Sequence, residues 1–257
     1  MSYLYICPMK YLGYFLLFLF MVGCRDKKPT PVPTPKPQLN FVVEQDFDGS
    51  DFDYDATYFT NAAGNIVQFS NLKYLLSNFI LIKTDGTEVK LDSSFAFVNA
   101  KIGRDTFSFP NLPAGNYQGI KFFIGLDSAT NHGDPNRYST THPLSPSINQ
   151  MHWGWSGGYI FMTLEGLVKD SLGIPRGFSY HLANDENLRQ VTCLSPFSVD
   201  STSKKVVLRM NAAEIFKNPN LHDFRREVFT THSSFDGGLS NRLMDNARDV
   251  FSIKRIE

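Results

Sequence analysis

Apolar residues at every second position are the feature that most constrains what this chain can fold into. In residues 117–126 the apolar side chains alternate with others such as Lys121 and Gly125, which predicts a strand with one buried face. Similar short runs occur at residues 41–43, 79–82, 88–91, 95–98, 178–182 and 206–210. Residues 159–164 are apolar on both faces and predict a central strand that is covered on both sides.

Turn and helix signals complete the fold prediction. Thr-Asp-Gly-Thr at residues 84–87 is typical of a tight hairpin, and Leu-Pro-Ala-Gly-Asn at residues 112–116 is typical of a loop before a strand. Two short helices are expected, one at residues 211–216 and one that is capped by Ser240. The second helix has an apolar stripe of Leu243, Ala247, Val250 and Phe251. The sequence therefore predicts an all-β fold, a Greek-key β-sandwich with short helices near the C-terminus.

The first 23 residues have the organisation of an export signal. Lys10 precedes an apolar run over residues 11–22, which is shorter than the about 20 residues of a transmembrane helix. Met21-Val22-Gly23-Cys24 resembles the lipobox of bacterial lipoproteins, in which cleavage before the cysteine accompanies attachment of lipid to its thiol. We therefore expect a signal peptide at residues 1–23, lipidation at Cys24, and a lipid-anchored protein on the periplasmic face or the cell surface, with the outer membrane favoured. The alternative is an ordinary cysteine at the end of a simple membrane anchor.

Proline dominates the segment that follows Cys24. Residues 29–37 are Pro-Thr-Pro-Val-Pro-Thr-Pro-Lys-Pro, which favours stiff polyproline II and buries little apolar area. We expect a tether at residues 24–38 and one β-sandwich domain at residues 39–257. That domain contains only Cys193, so no intrachain disulfide can form once Cys24 is acylated. The balance of 25 basic and 25 acidic residues argues against a nucleic-acid partner.

Both tryptophans lie in one glycine-rich segment, Met-His-Trp-Gly-Trp-Ser-Gly-Gly-Tyr at residues 151–159. Glycines allow backbone and large rings to approach closely there, and His and Met suit soft metals. The residue types leave open a metal site, an aromatic loop that plugs one end of the sandwich, and a sugar-stacking platform of Trp153, Trp155 and Tyr159.

Acidic residues occupy nearly every second position of residues 46–55. They could offer oxygen ligands to calcium, but Thr57 stands where an EF-hand loop requires its closing Glu. A strand with aromatic residues on one face and acids on the other explains the pattern as well. Residues 154–158, Gly-Trp-Ser-Gly-Gly, have the spacing Gly-x-Ser-x-Gly, but this short pattern indicates a hydrolase only where it forms a strand-to-helix turn, and we expect no hydrolase here.

Several longer motifs are spread over the predicted domain. The most specific is Met-x-Trp-x-Trp-x-x-Gly-Tyr-x-Phe-x-x-Leu-Glu-Gly at residues 151–166. The others are Asn131, His-Pro-Leu-Ser-Pro at 142–146, Phe-x-Tyr-His-Leu at 178–182, Asn-Leu-Lys-Tyr-Leu-Leu-Ser-Asn at 71–78 and Leu-Met-Asp-Asn at 243–246. Together they resemble the MbnP-like copper-binding family, which is named for a periplasmic partner of methanobactin uptake systems.

The resemblance implies a non-enzymatic β-sandwich that binds copper outside the cytoplasm. In studied relatives a partner enzyme of the di-haem peroxidase type oxidises one tryptophan to kynurenine, and Trp153 and Trp155 are the candidates here. Kynurenine has an amine and a ketone that can bind a metal, whereas indole offers only an N–H donor. His181 is the best-matched histidine ligand, and His152 and His132 are expected to assist it.

Departures from the family pattern leave two rival functions open. His152 stands where many relatives have an aromatic residue, so it is an added ligand or a surface side chain. Leu182-Ala183 follow His181 where relatives often have a glycine. The rivals are a surface adhesion or carbohydrate-binding module that uses the aromatic platform, and a structural lipoprotein without a ligand. Metal analysis separates copper binding from both.

Overall fold

The computed structural model describes Met1, Tyr3 and residues 37–154 and 157–257. Apart from Met1 and Tyr3, the predicted signal peptide lies outside these residues, as do the lipidation site Cys24, almost all of the tether, and Trp155. The chain divides into units at Met1–Pro35 and Lys36–Glu257, and the structure describes mainly the second. Within the described residues, no helix is both long enough and apolar enough to cross a membrane.

Strands dominate the described part of the chain. The strands are β1 (Leu39–Phe47), β2 (Ser50–Asp51), β3 (Phe59–Thr60), β4 (Ile66–Lys83), β5 (Glu88–Lys90), β6 (Phe95–Val98), β7 (Thr106–Phe109), β8 (Gly115–Ile124), β9 (Ile160–Lys169), β10 (Pro175–Ala183), β11 (Arg189–Val199), β12 (Lys204–Asn211), β13 (Thr230–Thr231) and β14 (Phe251–Ile256). The α-helices are α1 (Ser128–Asn131), α2 (Pro146–Asn149) and α3 (Leu239–Asn246). Short 3-10 helices lie at Ala100–Ile102, Pro135–Arg137, Asp185–Asn187, Ala212–Phe216 and Ala247–Asp249.

These strands form two sheets. One sheet has the order β14-β12-β1-β2, with β7 also paired to β1. The other has the order β11-β8-β4-β9-β10-β13, with β3, β5 and β6 also paired to β4. Neighbours in space are often distant in sequence, as in the parallel pair of β1 and β12. The predicted all-β sandwich with Greek-key connections and short C-terminal helices is confirmed.

The main core lies between the two sheets. Phe41 of β1 and Phe79 of β4 meet there with ring centroids 5.3 Å apart, and both side chains are buried. Side chains that point into this core alternate with side chains that point outward along β1, β8 and β11. This confirms the prediction that residues 117–126 form a strand with one buried face.

A second, smaller core covers the outer face of the nine-stranded sheet. Tyr159, Phe161, Met151 and Leu144 belong to it, whereas Leu164 of β9 packs into the main core. Strand β9 lies between β4 and β10, so the predicted central strand with two covered faces is confirmed. The covering layer comes from the long connection between β8 and β9, which also carries the tryptophan segment.

The predicted turns and the first helix match the structure. β4 and β5 are joined by a tight turn in which Gly86 N–H donates to the Lys83 carbonyl at 2.9 Å. Asn211 caps the 3-10 helix Ala212–Phe216, since its side chain accepts a hydrogen bond from Ala213 N.

The cap of the second helix was predicted incorrectly. Helix α3 begins after Gly238 rather than after Ser240, and Gly238 takes the left-handed φ of 81°. The Asp236 carboxylate accepts from the backbone N–H groups of Gly238 and Ser240, each at 3.0 Å. An aspartate upstream therefore supplies the acceptor that a serine cap would have provided.

The acidic segment is not one strand, because it contains the end of β1, a turn, the short β2 and residues 52–55 outside any strand. Asp48 has a φ of 48° and Gly49 has a φ of 85° between β1 and β2. The carboxylates pair with cations from distant segments: Asp46 with Arg209, Asp48 with Lys217, and Asp55 with Lys101. Ion pairs within the fold therefore account for Asp46, Asp48 and Asp55.

Candidate metal centre

A patch of polar side chains crosses β4, β9 and β10 on the outer face of the nine-stranded sheet. The register places Thr163 of β9 between Lys73 of β4 and His181 of β10. Because residues two apart in a strand share a face, the next position of β9 also belongs to the patch. We call this patch the polar face; its members are Asn71, Lys73, Thr163, Glu165, Ser179 and His181.

His181 is held at one ring nitrogen only. Its Nε2 lies 2.8 Å from Oε1 of Glu165 and 3.4 Å from Oγ of Ser179. Its Nδ1 is buried and has no hydrogen-bond partner among the described residues. Buried polar atoms normally have partners, so this nitrogen needs an explanation, as does the buried Thr163 hydroxyl, which also lacks a partner among the described residues.

Glu165 is anchored from both sides. Its Oε2 accepts a hydrogen bond from Nδ2 of Asn71 at 3.0 Å, while its Oε1 faces His181. Partial burial opposes ionisation, but the hydrogen bonds from His181 and Asn71 outweigh it and hold the pKa of Glu165 below its ordinary value. The carboxylate is therefore ionised at neutral pH and can only accept hydrogen bonds.

His232 lies against His181 because of a short parallel strand pair. β13 pairs with β10 at Ser179 and Tyr180, and His232 follows β13 directly. Ser233 fixes this position, since its Oγ donates to the His181 carbonyl at 2.9 Å and accepts from Ala183 N–H at 2.8 Å. The ring centroids of His181 and His232 are 5.2 Å apart.

Trp153 completes the aromatic cluster. Its ring centroid lies 5.8 Å from that of His181 and 5.4 Å from that of His232. The backbone of Trp153 is fixed by a 3.0 Å hydrogen bond from its N–H to the Gly158 carbonyl. A Cβ at residue 157 would lie 2.9 Å from Cδ1 of Trp153, so Gly157 allows the indole to fold back over its own loop.

The loop that carries Trp153 is fastened to the polar face. The Lys73 ammonium reaches the carbonyls of Asn149 and Gln150 at 3.4 and 3.5 Å, and burial lowers the pKa of Lys73. Tyr159 is fully buried and its hydroxyl donates to the Leu144 carbonyl at 2.7 Å. These contacts fix the loop at both ends of the tryptophan segment.

The structure separates the three histidines that the sequence suggested as ligands. His152 packs edge-on against Tyr159 at 4.5 Å, and its Nδ1 accepts from Gly154 N–H at 2.9 Å. Burial lowers the pKa of His152. Nε2 of His132 lies 3.2 Å from both carboxylate oxygens of Asp185. His132 and His152 line an open cleft of about 480 Å³, whereas the ring contacts of His181 are with Trp153 and His232.

Two members of this cluster had no assigned role in the sequence analysis. Glu165 was only one position of a longer motif, although a charged residue in a largely apolar strand is a usable signal. His232 has no local signal, because it reaches His181 only through the pairing of β13 with β10.

The donor set is suited to a soft or borderline metal but is incomplete. In the described residues, no group of three or more His, Cys, Asp and Glu side chains is arranged to hold a metal ion. His181 and His232 offer two imidazoles, which suit copper. Any third donor would have to come from a different kind of group, and the group that lies against both imidazoles is Trp153.

Comparisons with known proteins agree on one family. A family model described as MbnP matches residues 36–233. The solved structure of MbnP from Methylosinus trichosporium has the same fold, with a TM-score of 0.52 and 14% identity over 78% of this chain and 82% of that one. No curated protein matches the sequence. Since the family model covers most of the sequence and the sandwich matches, this chain belongs to the MbnP family.

Proposed function

We propose that this protein binds copper on the polar face through His181 and His232, and that it acts in copper acquisition or handling. Membership of the MbnP family supports copper as the metal. Imidazole nitrogen also suits copper by its chemistry. The protein itself is proposed to be a binding protein rather than an enzyme.

The observation that carries the proposal is the buried Nδ1 of His181, for which the described residues provide no hydrogen-bond partner. A second imidazole and an indole lie within 6 Å of the same ring, centroid to centroid. A metal bound at this nitrogen would supply the missing partner. The cleft at His132 and His152 lacks such an atom, since neither ring has a buried nitrogen without a hydrogen-bond partner in the described part of the chain.

A modified Trp153 is the proposed third donor. Unmodified indole has an N–H donor and no lone pair available to a metal. Oxidative cleavage of the indole C2–C3 bond adds two oxygens, and hydrolysis then releases one carbon as formate, so that kynurenine has one carbon fewer and one oxygen more than tryptophan, with an amine and a ketone. An external haem peroxidase with its oxidant would have to perform this step. Trp153 is favoured as the modified residue because its ring lies against both histidines.

The proposed place of action is outside the cytoplasm. The boundary at Gly23-Cys24 and the proline-rich segment support an exported lipoprotein with lipid on Cys24. The tether would hold the copper-binding domain away from the membrane surface.

The carbohydrate-binding alternative has less support. Tyr159 is fully buried and uses its hydroxyl within the fold, so its ring cannot stack on a sugar. Trp153 is partly buried against His181 and His232. A stacking platform needs exposed ring faces.

Copper stoichiometry of histidine variants tests the ligand set. Protein from the native host would be dialysed and analysed for copper, with His181→Ala and His232→Ala compared with His152→Ala and His132→Ala. We expect the first pair to lose most of the copper and the second pair to keep it. Unchanged copper in His181→Ala, with a native circular dichroism spectrum, would show that the site lies elsewhere.

Peptide mass spectrometry of residues 151–159 tests the modification. Native material should show the loss of one carbon and gain of one oxygen at Trp153, and material made without the partner oxidase should retain both tryptophans and bind copper weakly. Tight copper binding by native protein with unmodified tryptophan would show that kynurenine is not needed and that histidines alone bind the metal.

A further inference from the structure

The hydrogen bond between His181 and Glu165 determines which nitrogen of His181 can bind a metal. A neutral imidazole has one N–H and one lone pair, on different nitrogens. The carboxylate oxygen Oε1 of Glu165 lies 2.8 Å from Nε2 of His181, and a carboxylate oxygen accepts a hydrogen bond. The hydrogen of the neutral ring therefore belongs on Nε2, and the lone pair is left on the buried Nδ1.

We propose that Glu165 is a positioning residue that makes His181 bind the metal through Nδ1. This inference rests on the proposed copper function and adds the ligating atom and the residue that selects it. Hydrogen bonding of a metal-ligating histidine to a carboxylate through its other nitrogen is a general way to fix tautomer and ring orientation.

The surroundings leave Glu165 free for this role. Lys73 is the cation that shares the polar face, but its ammonium binds the carbonyls of Asn149 and Gln150. Asn71 occupies the second oxygen of Glu165 and leaves Oε1 for His181. Ser179 is a weaker partner for Nε2, because its oxygen is 3.4 Å away.

A second buried polar group in the same strand pair also lacks a hydrogen bond. Thr163 lies directly opposite His181 in the strand pair and is only 1% exposed. Its hydroxyl, like Nδ1 of His181, has no partner within the described residues. Buried polar groups normally have partners, so two groups without partners in paired positions of β9 and β10 are consistent with a ligand beside His181.

Nuclear magnetic resonance of metal-free protein labelled with ¹⁵N at histidine tests the tautomer. His181→Gln assigns the His181 signals. We expect a hydrogen-bonded Nε2–H that exchanges slowly with solvent in the wild type and in Glu165→Gln, whose amide oxygen can still accept. The proton should exchange fast in Glu165→Ala. A proton on Nδ1, or equally slow exchange in Glu165→Ala, would overturn the proposal.

Silver(I), a diamagnetic probe for Cu(I), tests the ligating atom in protein from the native host. We expect silver–nitrogen coupling at Nδ1 of His181 with the Nε2 proton retained. Coupling at Nε2 would overturn the inference while leaving the copper function intact. No silver or copper binding at all would overturn both.

Copper affinity then measures the contribution of Glu165. Glu165→Ala should bind copper about 10–100-fold more weakly, the usual effect of removing such a partner. Glu165→Gln should recover most of that loss. Glu88→Ala removes an exposed carboxylate of β5 that pairs with Lys121 and should bind as the wild type does. Equal affinity of Glu165→Ala and wild type would refute a positioning role.

Discussion

His222 should make the stability of this protein depend on pH between about 4 and 6.5. It is 3% exposed and lies among aromatic rings, with centroids 4.4 Å from Phe224 and 5.4 Å from Phe216. Burial, with a contribution from Arg242, lowers the pKa of His222 from 6.5 to about 4, although Asp223 opposes this change. The folded protein thus holds the ring neutral where the unfolded chain would protonate it.

The size and sign of the effect follow from this difference. A pKa that falls from 6.5 to about 4 corresponds to about 3 kcal/mol, at about 1.4 kcal/mol for each pKa unit. Below pH 6.5 the unfolded chain binds a proton that the folded protein does not bind. The free energy of unfolding should therefore fall as pH falls from 6.5 to about 4, and this contribution should be constant below that range.

Urea denaturation followed by circular dichroism at pH 7.5, 5.5 and 4.5 measures this dependence in wild type and His222→Gln. The variant will be less stable at pH 7.5, because Gln fills the aromatic site poorly. Its free energy of unfolding at pH 7.5 is therefore the reference for its own values at lower pH. Between pH 7.5 and 4.5 we expect the wild type to lose about 2–3 kcal/mol more than the variant. Parallel pH curves for the two proteins would refute the assignment to His222.

Three further predictions concern the rest of the chain. Cys24→Ser should leave the precursor unprocessed or release the protein from membranes, and unchanged membrane partitioning would exclude lipidation at that residue. The domain should show a β-type circular dichroism spectrum in reductant. Cys193 should not react with thiol reagents at pH 8 until the domain unfolds, because burial raises the pKa of that thiol to about 12. A Cβ on Gly166 would lie 1.9 Å from the Gln68 carbonyl oxygen, so Gly166→Ala should cost about 2 kcal/mol or more. Gly177→Ala is the matched control because a Cβ at that glycine meets no atom within 4 Å, and equal stability of the two variants would contradict the steric argument.

Strand prediction succeeded where alternation was strong and uninterrupted. The expected run at residues 95–98 coincides with β6, and residues 117–126 contain most of β8. Only residues 79–82 were expected to form a strand in the region of β4, which extends over Ile66–Lys83. Polar residues break its pattern, and the sheet accommodates them by register shifts after Phe69 and after Ser77.

β11 was missed although its buried positions alternate clearly in the folded protein. Its sequence combines a buried arginine with a proline, two residues that argue against a strand. Arg189 is buried because Asp245 and the Glu186 carbonyl hydrogen-bond its guanidinium. Pro196 is tolerated because β11 lies at the edge of its sheet. The burial of Arg189 depends on Asp245, which is distant in sequence, and the tolerance of Pro196 depends on the position of β11 in the sheet.

The sequence by itself determined the all-β class, the family resemblance and the choice of Trp153 and His181 as candidate site residues, because alternation and short motifs are local properties of a chain. Only the tertiary structure decided which groups surround His181. Its neighbours Glu165 and His232 come from β9 and from the residue after β13, while the expected ligands His152 and His132 line a separate cleft. Strand register and the crossing of β13 beside β10 set these distances, and register is fixed by which faces of the sheet are buried across the whole domain.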